Sequence, residues 1–218
     1  MGQRREWSLG EEVAHALTHG VGLVASLVGL VALVVAAAET RDPWRIVGCA
    51  IYGTTLVLMY TASTLYHSLS RTRARRVFRV LDHSAIFLLI AGTYTPFTLV
   101  NLRGPWGWTL LGVVWGVAVL GVTSKSVFGT RWPILSTTLY VVMGWSVLVA
   151  VRPVLTQIPP AGIAWLGAGG VAYTAGVAFF AWERLRYSHA IWHVFVLAGS
   201  VFHFVAVFLY AVGVGAPA

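Results

Sequence analysis

The chain has 218 residues, of which 58% are hydrophobic and 10% are charged, and its formal net charge at pH 7 is +8. This much apolar surface exceeds what a soluble domain can bury, which excludes a soluble enzyme and indicates a polytopic membrane protein. The basic residues fall in short segments between apolar runs, a pattern of membrane topology that excludes nucleic-acid binding. The single cysteine, Cys49, rules out an intrachain disulfide and a cysteine-based metal site.

Apolar runs of roughly 20 residues or more, the length that a helix needs to cross a bilayer, occur seven times. Proline, glycine or charged residues separate them, and no soluble domain fits between them. The first run is too long for a signal-peptide core, so we expect an uncleaved anchor. The sequence predicts an all-α membrane protein, a single seven-transmembrane helix bundle over residues 1–218, with spans at about 13–38, 45–69, 78–100, 106–124, 133–152, 161–182 and 190–213.

Lysine and arginine are distributed unevenly between the two sides of this predicted bundle. With the N-terminus inside, eleven basic residues lie on the cytoplasmic side and four on the outer side. The positive-inside rule therefore predicts a cytoplasmic N-terminus and a C-terminus outside. The arginine-rich segment 71–79 has two interpretations: it sets topology and attracts anionic headgroups, or it docks a partner or an acidic substrate head.

Polar residues of three distant spans meet at one membrane depth under this topology. Ser63 and His67 lie near the cytoplasmic end of the second span, and Asp82 lies near the start of the third. The seventh span begins with His189 and His193, whose spacing of four places both side chains on one helix face. An ionisable residue inside a membrane is costly, so this set predicts a functional site.

Metal chemistry explains why such a set would be useful. Three neutral imidazoles with an open fourth position are typical of catalytic zinc, which lowers the pKa of a bound water to about 7. A carboxylate such as Asp82 can hold that water and pass its proton to a leaving group. Ser63 lies one turn before His67 and can orient a ligand or the water. Histidine also suits other divalent ions, but zinc is preferred.

Three ordered motifs carry a resemblance that covers residues 11–213. They are Ser63-x-x-x-His67, the segment 81–86 with 91–96, and the segment 188–193. Together they resemble the hemolysin III family of bacterial membrane proteins, relatives of the progestin and adipoQ receptors and, more distantly, of alkaline ceramidases. The resemblance implies zinc held by His67, His189 and His193 near the cytoplasmic face, with Asp82 on the zinc-bound water and Ser63 close by. It also implies a multi-pass protein of the bacterial inner membrane.

Several residues have more than one interpretation. His83 could compete as a ligand, and the spacing of His15 and His19 permits a ligand role or an interfacial one. Asp82 could instead cap the third helix or pair with Arg79. His203 lies ten residues beyond His193, about 15 Å deeper, which predicts a buried interhelical hydrogen bond instead of a place in the metal site.

Two further features concern helix packing. The spacing Gly112-x-x-x-Gly116 and the glycines at 167, 169, 170 and 176 predict close contacts between helices. Pro96 predicts a kink near the outer end of the third span.

Three functions are compatible with these residues. The first is a zinc-dependent hydrolase acting on an amide or ester of a membrane lipid, with Asp82 and Ser63 as catalytic residues. The second is a non-enzymatic receptor-like or membrane-homeostasis protein with structural zinc. The third is a pore-forming hemolysin, for which seven apolar spans with few polar stripes give little support. The expected partners are membrane lipids, one of which would be the substrate, and not nucleic acid.

Overall fold

A computed structural model describes residues 7–182 and 184–214, which form helices and no strands. In this described part of the chain, seven helical segments are long and apolar enough to cross a membrane, so the predicted seven-helix bundle is confirmed. The fifth span is divided between two α-helices, and each of the other six contains one α-helix. The helices are α1 Leu9–Glu39, α2 Pro43–Ser68, α3 Arg75–Leu99, α4 Pro105–Phe128, α5 Pro133–Gly144, α6 Val151–Gln157, α7 Pro160–Ala181 and α8 Ser188–Ala206.

Two spans contain non-α segments. A 3₁₀ turn, Ser146–Ala150, joins α5 to α6 within the fifth span. A π-helical turn, Val207–Ala211, continues α8 at the end of the seventh. Arg4 and Arg5, which contribute to the predicted orientation, lie outside the described residues, and that orientation stays a prediction.

Local sequence signals explain where the helices begin. Ser8 caps α1 in a capping box, in which its hydroxyl accepts from the backbone N–H of Glu11 and the Glu11 carboxylate accepts from the backbone N–H of Ser8. Asp42 caps α2 by accepting from the backbone N–H of Trp44. Proline begins four helices, because its fixed φ suits the first helical position and its missing N–H is not needed there. These helices are α2, α4, α5 and α7.

The first four helices pack side by side in sequence order, α7 packs against α8, and α8 returns to contact α1. Hydrogen bonds between buried hydroxyls link the helices in the interior: Ser200 of α8 receives one from Tyr60 of α2 at 2.8 Å and meets Tyr173 of α7 at the same distance. The outer face of α1 is apolar, with Val21, Val28 and Val31 more than 60% exposed. Buried polar pairs and an apolar exterior are what a bilayer requires.

The prediction of close packing at Gly112 and Gly116 was wrong. A Cβ atom at either position would meet nothing within 4 Å in the described structure, and both glycines lie on the exposed face of α4. The buried face of α4 instead carries Leu110, Val114 and Ala118. Because 112 and 116 are offset by two residues from that row, they point away from the bundle.

The other glycines divide in the same way. Gly167 has open space at its Cβ position, whereas Gly169 closely approaches the His203 ring and Gly176 approaches Trp192 and Phe195. A Cβ at Gly170 would make only ordinary contact with Trp145, so of these four glycines Gly169 and Gly176 are the closely packed ones. Pro96 does not end α3, which continues as an α-helix up to Leu99. The predicted kink at Pro96 stays a prediction.

Candidate metal centre

Three histidines from two helices meet at one end of the bundle. His67 lies in the last turn of α2, and His189 and His193 occupy the first two turns of α8. One ring nitrogen from each lies within 4.8 Å of the others. Helical spacing brings His189 and His193 together, whereas only the packing of α8 beside the other helices brings them to His67. The arrangement offers three imidazole ligands to one ion.

The ring of His67 is oriented by a carboxylate of α1. Its Nδ1 atom lies 2.8 Å from Oε2 of Glu12, and Arg75 contacts Oε1 of the same carboxylate. The Nε2 atom of His67 is buried and has no hydrogen-bond partner among the described residues. A histidine that donates from one nitrogen to a carboxylate and keeps the other free has the usual arrangement of a metal ligand.

The ring of His193 is held in a similar way by backbone. Its Nδ1 atom lies 3.2 Å from the carbonyl oxygen of His15 and 3.1 Å from Oγ1 of Thr18. A carbonyl oxygen only accepts, so this contact places the proton on Nδ1 and leaves Nε2 with its lone pair. The second ligand candidate thus also has one nitrogen engaged and one available.

His15 and Glu12 form a second group around His67. Ligand atoms of Glu12, His15 and His67 lie within 4.8 Å of one another, and the Glu12–His15 separation is 3.8 Å. Both ring nitrogens of His15 are buried without a hydrogen-bond partner in the described part of the chain. Its ring centroid is 4.8 Å from that of His189 and 5.5 Å from that of His193. His15 is therefore a fourth imidazole next to the three histidines, and its ligand atoms converge with those of His67.

His19 lies one turn further along α1. Its ring stacks on that of His193 with centroids 3.5 Å apart, and its Nδ1 atom lies 2.7 Å from Oγ of Ser63. Ser63 is buried and also interacts with the Asp82 carboxyl group. The serine therefore links the histidine cluster to Asp82.

Asp82 lies inside α3, seven residues after the helix begins at Arg75, so it does not cap the helix. Among the described residues, which include both partners, no ion pair joins Asp82 to Arg79 within 4.0 Å. The two structural interpretations of this aspartate are thereby wrong. Asp82 and His83 belong to neither group of converging ligand atoms; both line the adjacent cavity, and the backbone oxygen of His83 accepts from Tyr140 at 2.7 Å.

A cavity of about 140 Å³ extends from this cluster into the bundle. Its walls at the cluster end include Asp82, Ser63, His189 and His193, and apolar side chains line most of the rest. At the far end is His203, whose Nε2 atom lies 3.1 Å from the carbonyl oxygen of Leu166 on α7. The predicted interhelical hydrogen bond of His203 is confirmed.

Two residues of the cluster escaped the sequence analysis. Glu12 is a carboxylate at the start of a membrane span, one turn before His15, and that costly position was the available signal. Trp7 lies over the cluster, with its ring centroid 4.6 Å from that of His189 and 4.9 Å from that of His15. Nothing in its sequence position distinguishes Trp7 from an interfacial tryptophan.

Comparison with known proteins places the chain in a family. The family described as "Haemolysin-III related" matches residues 7–204. The chain belongs to this haemolysin-III-related family. The chain is 44% identical to Hemolysin-3 of Bacillus cereus over 92% of its length and 91% of that protein. It is 43% identical to the Hemolysin-3 homolog of Bacillus subtilis (strain 168), with 95% and 98% covered.

A more distant relative of this haemolysin-III-related chain is human. The monocyte to macrophage differentiation factor of Homo sapiens is 28% identical over 92% of the chain and 84% of the human protein. The matched family region, 7–204, contains every residue of the histidine cluster and Asp82. The candidate centre is thus part of the region by which the family is recognised.

Proposed function

We propose that this protein is a zinc-dependent hydrolase that cleaves an amide or ester bond of a membrane lipid in the bacterial cytoplasmic membrane. What supports the proposal is the convergence of three imidazoles, together with an apolar cavity whose lining includes Asp82 and Ser63 as well as His189 and His193. A structural metal site needs no cavity and no neighbouring carboxyl group. A hydrolase that acts on lipid needs both.

The donor set fits zinc. His67, His189 and His193 offer nitrogen ligands. The Nε2 atom of His67, which is buried and has no hydrogen-bond partner in the described part of the chain, is the polar atom that a metal would satisfy. Bound there, zinc would supply a Lewis acid that activates water near neutral pH. The carboxylate of Glu12 holds His67 in the required orientation, and Arg75 balances its charge.

The remaining chemistry belongs to the chain's own residues. Asp82 accepts a proton from the attacking water while the oxygen of that water bonds to the substrate carbonyl carbon. The same carboxyl group then donates that proton to the nitrogen or oxygen of the leaving group as the C–N or C–O bond breaks. The products are a carboxylic acid and an amine or alcohol. Ser63 positions Asp82 through their mutual contact.

The cavity provides the apolar binding site. Ile86 and Leu89 of α3, Val177 of α7 and Val196 of α8 are among its lining residues, so an acyl chain is a suitable occupant. An acyl chain in the cavity would place its carbonyl end near Asp82.

Asp82→Asn tests this proposal. Purified protein is incubated with a panel of lipid amides and esters, and the products are identified by mass spectrometry. We expect zinc content to be unchanged and product formation to fall by about 10²–10⁴-fold, the usual contribution of a general acid–base residue. Asp42→Asn is the matched control, because Asn also caps a helix. Position 42 lies at the start of α2, at the opposite end of that helix from His67.

The outcome that contradicts the proposal is full turnover by Asp82→Asn, or no metal-dependent product from the wild-type protein with any lipid of the panel.

A second function has one observation in its favour. The ring nitrogens of His15 have no hydrogen-bond partner among the described residues. If His15 is a fourth ligand, the site is closed, and closed four-ligand zinc sites are structural. The protein would then be a non-enzymatic receptor-like or membrane-homeostasis protein. X-ray absorption of the zinc-loaded wild type and His15→Ala separates the two functions. Loss of one imidazole from the zinc shell in the variant favours the structural role, and unchanged coordination favours the hydrolase.

A further inference from the structure

A second, larger space lies next to the cluster at the histidine end of the bundle. This vestibule has a volume of about 1050 Å³. It is formed by the α2–α3 loop, the start of α3, the α4–α5 loop, the last residues of α7 and the first residues of α8. Its walls contain five arginines and two acidic residues, Glu11 and Asp82. The arginines are Arg73, Arg75, Arg76, Arg79 and Arg131.

The acidic groups near the vestibule already have partners. Arg75 contacts Glu12, and the Glu11 carboxylate accepts from Ser8 and from the backbone N–H of Tyr187. Within residues 7–182 and 184–214, no carboxylate lies within 4.0 Å of the other four arginines. These four guanidinium groups, from two loops and one helix, give the vestibule an excess of positive charge that the described residues do not neutralise.

The vestibule and the cavity share walls. Asp82 and His83 of α3, Thr137 of α5, Phe180 of α7 and His189 of α8 line both spaces. A molecule with an anionic end and an apolar end could therefore occupy both at once. Its middle would then lie beside Asp82 and the histidine cluster.

We propose that the ligand is an anionic phospholipid, whose phosphate binds the vestibule arginines while one acyl chain enters the cavity. The inference rests on the proposed function and names the substrate class of that site. Guanidinium groups suit phosphate because their planar N–H pairs donate two parallel hydrogen bonds to its oxygens. In this position the glycerol ester carbonyl is the part of the lipid nearest to Asp82.

General attraction of a basic surface to an anionic membrane is the simpler account, and the chain contains its own control. Arg71, Arg184 and Arg186 are exposed and belong to loops at the same end of the bundle, but they do not line the vestibule. Replacing these three, or replacing the vestibule arginines Arg73, Arg76 and Arg131, removes the same amount of positive surface charge. Only the vestibule set changes the space next to the cluster.

The experiment measures lipid binding directly. Phosphatidylglycerol is titrated into protein held in phosphatidylcholine nanodiscs, and bound lipid is counted by native mass spectrometry. Each triple variant carries Asp82→Asn as well, so that bound lipid is not consumed. We expect Arg73→Gln/Arg76→Gln/Arg131→Gln to weaken phosphatidylglycerol binding by about tenfold or more. Arg71→Gln/Arg184→Gln/Arg186→Gln should change it much less.

Equal weakening in both triple variants, with unchanged melting temperatures, would overturn the vestibule site in favour of general surface attraction. Competition by glycerol 3-phosphate as strong as that by phosphatidylglycerol would also overturn it, because the ligand would then be a soluble phosphate compound. Binding is read without turnover, so a protein that binds the lipid in the vestibule but never hydrolyses it contradicts the proposed function alone.

Discussion

The Nδ1 atom of His67 lies 2.8 Å from the Oε2 atom of Glu12, a contact between residues 55 positions apart in the chain. It fixes the ring so that Nε2 is buried among the other histidines without a hydrogen-bond partner in the described structure. A carboxylate that accepts from a ligand imidazole fixes the tautomer and raises the basicity of the metal-binding nitrogen. Glu12 is therefore expected to strengthen metal binding although it is not one of the three histidines.

Glu12→Gln tests this role. The amide keeps the size of the side chain but removes the charge, and we expect zinc affinity to fall by about 10–100-fold. Competition with a chromophoric chelator measures the affinity. Glu39→Gln, at the exposed far end of the same helix, is the matched control and should leave affinity unchanged. Equal affinities for wild type and Glu12→Gln would contradict the orienting role.

The three proposed ligands should behave differently from His203. We expect His67→Ala, His189→Ala and His193→Ala each to lose most of the zinc that the wild-type protein retains after dialysis. Inductively coupled plasma mass spectrometry measures the zinc content. His203→Ala should retain its zinc, because its side chain bonds to Leu166 on α7 instead. The assignment of the three ligands would be contradicted if the wild-type protein bound no zinc, or if His203→Ala lost as much zinc as the other three variants.

Trp7 should slow the exchange of the metal. Its ring lies against the rings of His189 and His15 and covers the cluster from the N-terminal side. We expect Trp7→Ala to release zinc to a chelator severalfold faster than wild type in a stopped-flow measurement. Trp108→Ala is the control, since Trp108 packs on Trp44 at the start of α2, away from the cluster. Identical release rates for wild type and Trp7→Ala would show that the tryptophan is no barrier.

Two glycines of α4 should respond in opposite ways to alanine. A Cβ at Gly107 would lie 2.3 Å from the carbonyl oxygen of Thr98 and 2.4 Å from that of Leu102, whereas one at Gly112 would meet nothing within 4 Å. We expect Gly107→Ala to destabilise the bundle by about 1–3 kcal/mol through overpacking. Gly112→Ala should be neutral or slightly stabilising, because alanine favours the helix. Thermal unfolding in detergent would measure both, and similar losses of stability in the two variants would contradict the packing described here.

Different kinds of residue made different parts of this structure predictable. Apolar runs long enough to cross a bilayer predict seven spans, because length and hydropathy are properties of each segment alone. Ser8, Asp42 and the prolines at helix starts act within one turn of the chain, so the helix limits follow from local sequence. The fifth span is the exception, since its break at Ser146–Ala150 has no comparable signal.

The sequence by itself determined that the protein is a seven-helix membrane protein, and it singled out His67, Asp82, His189 and His193 as residues worth a functional explanation. Only the tertiary structure decided that Glu12 and His15 of α1 join that group and that Trp7 covers it. It also decided which face of α4 packs inward, against the expectation for Gly112 and Gly116. The physical reason is that helical periodicity fixes which residues share a face, whereas the direction of that face depends on contacts with helices far away in the chain.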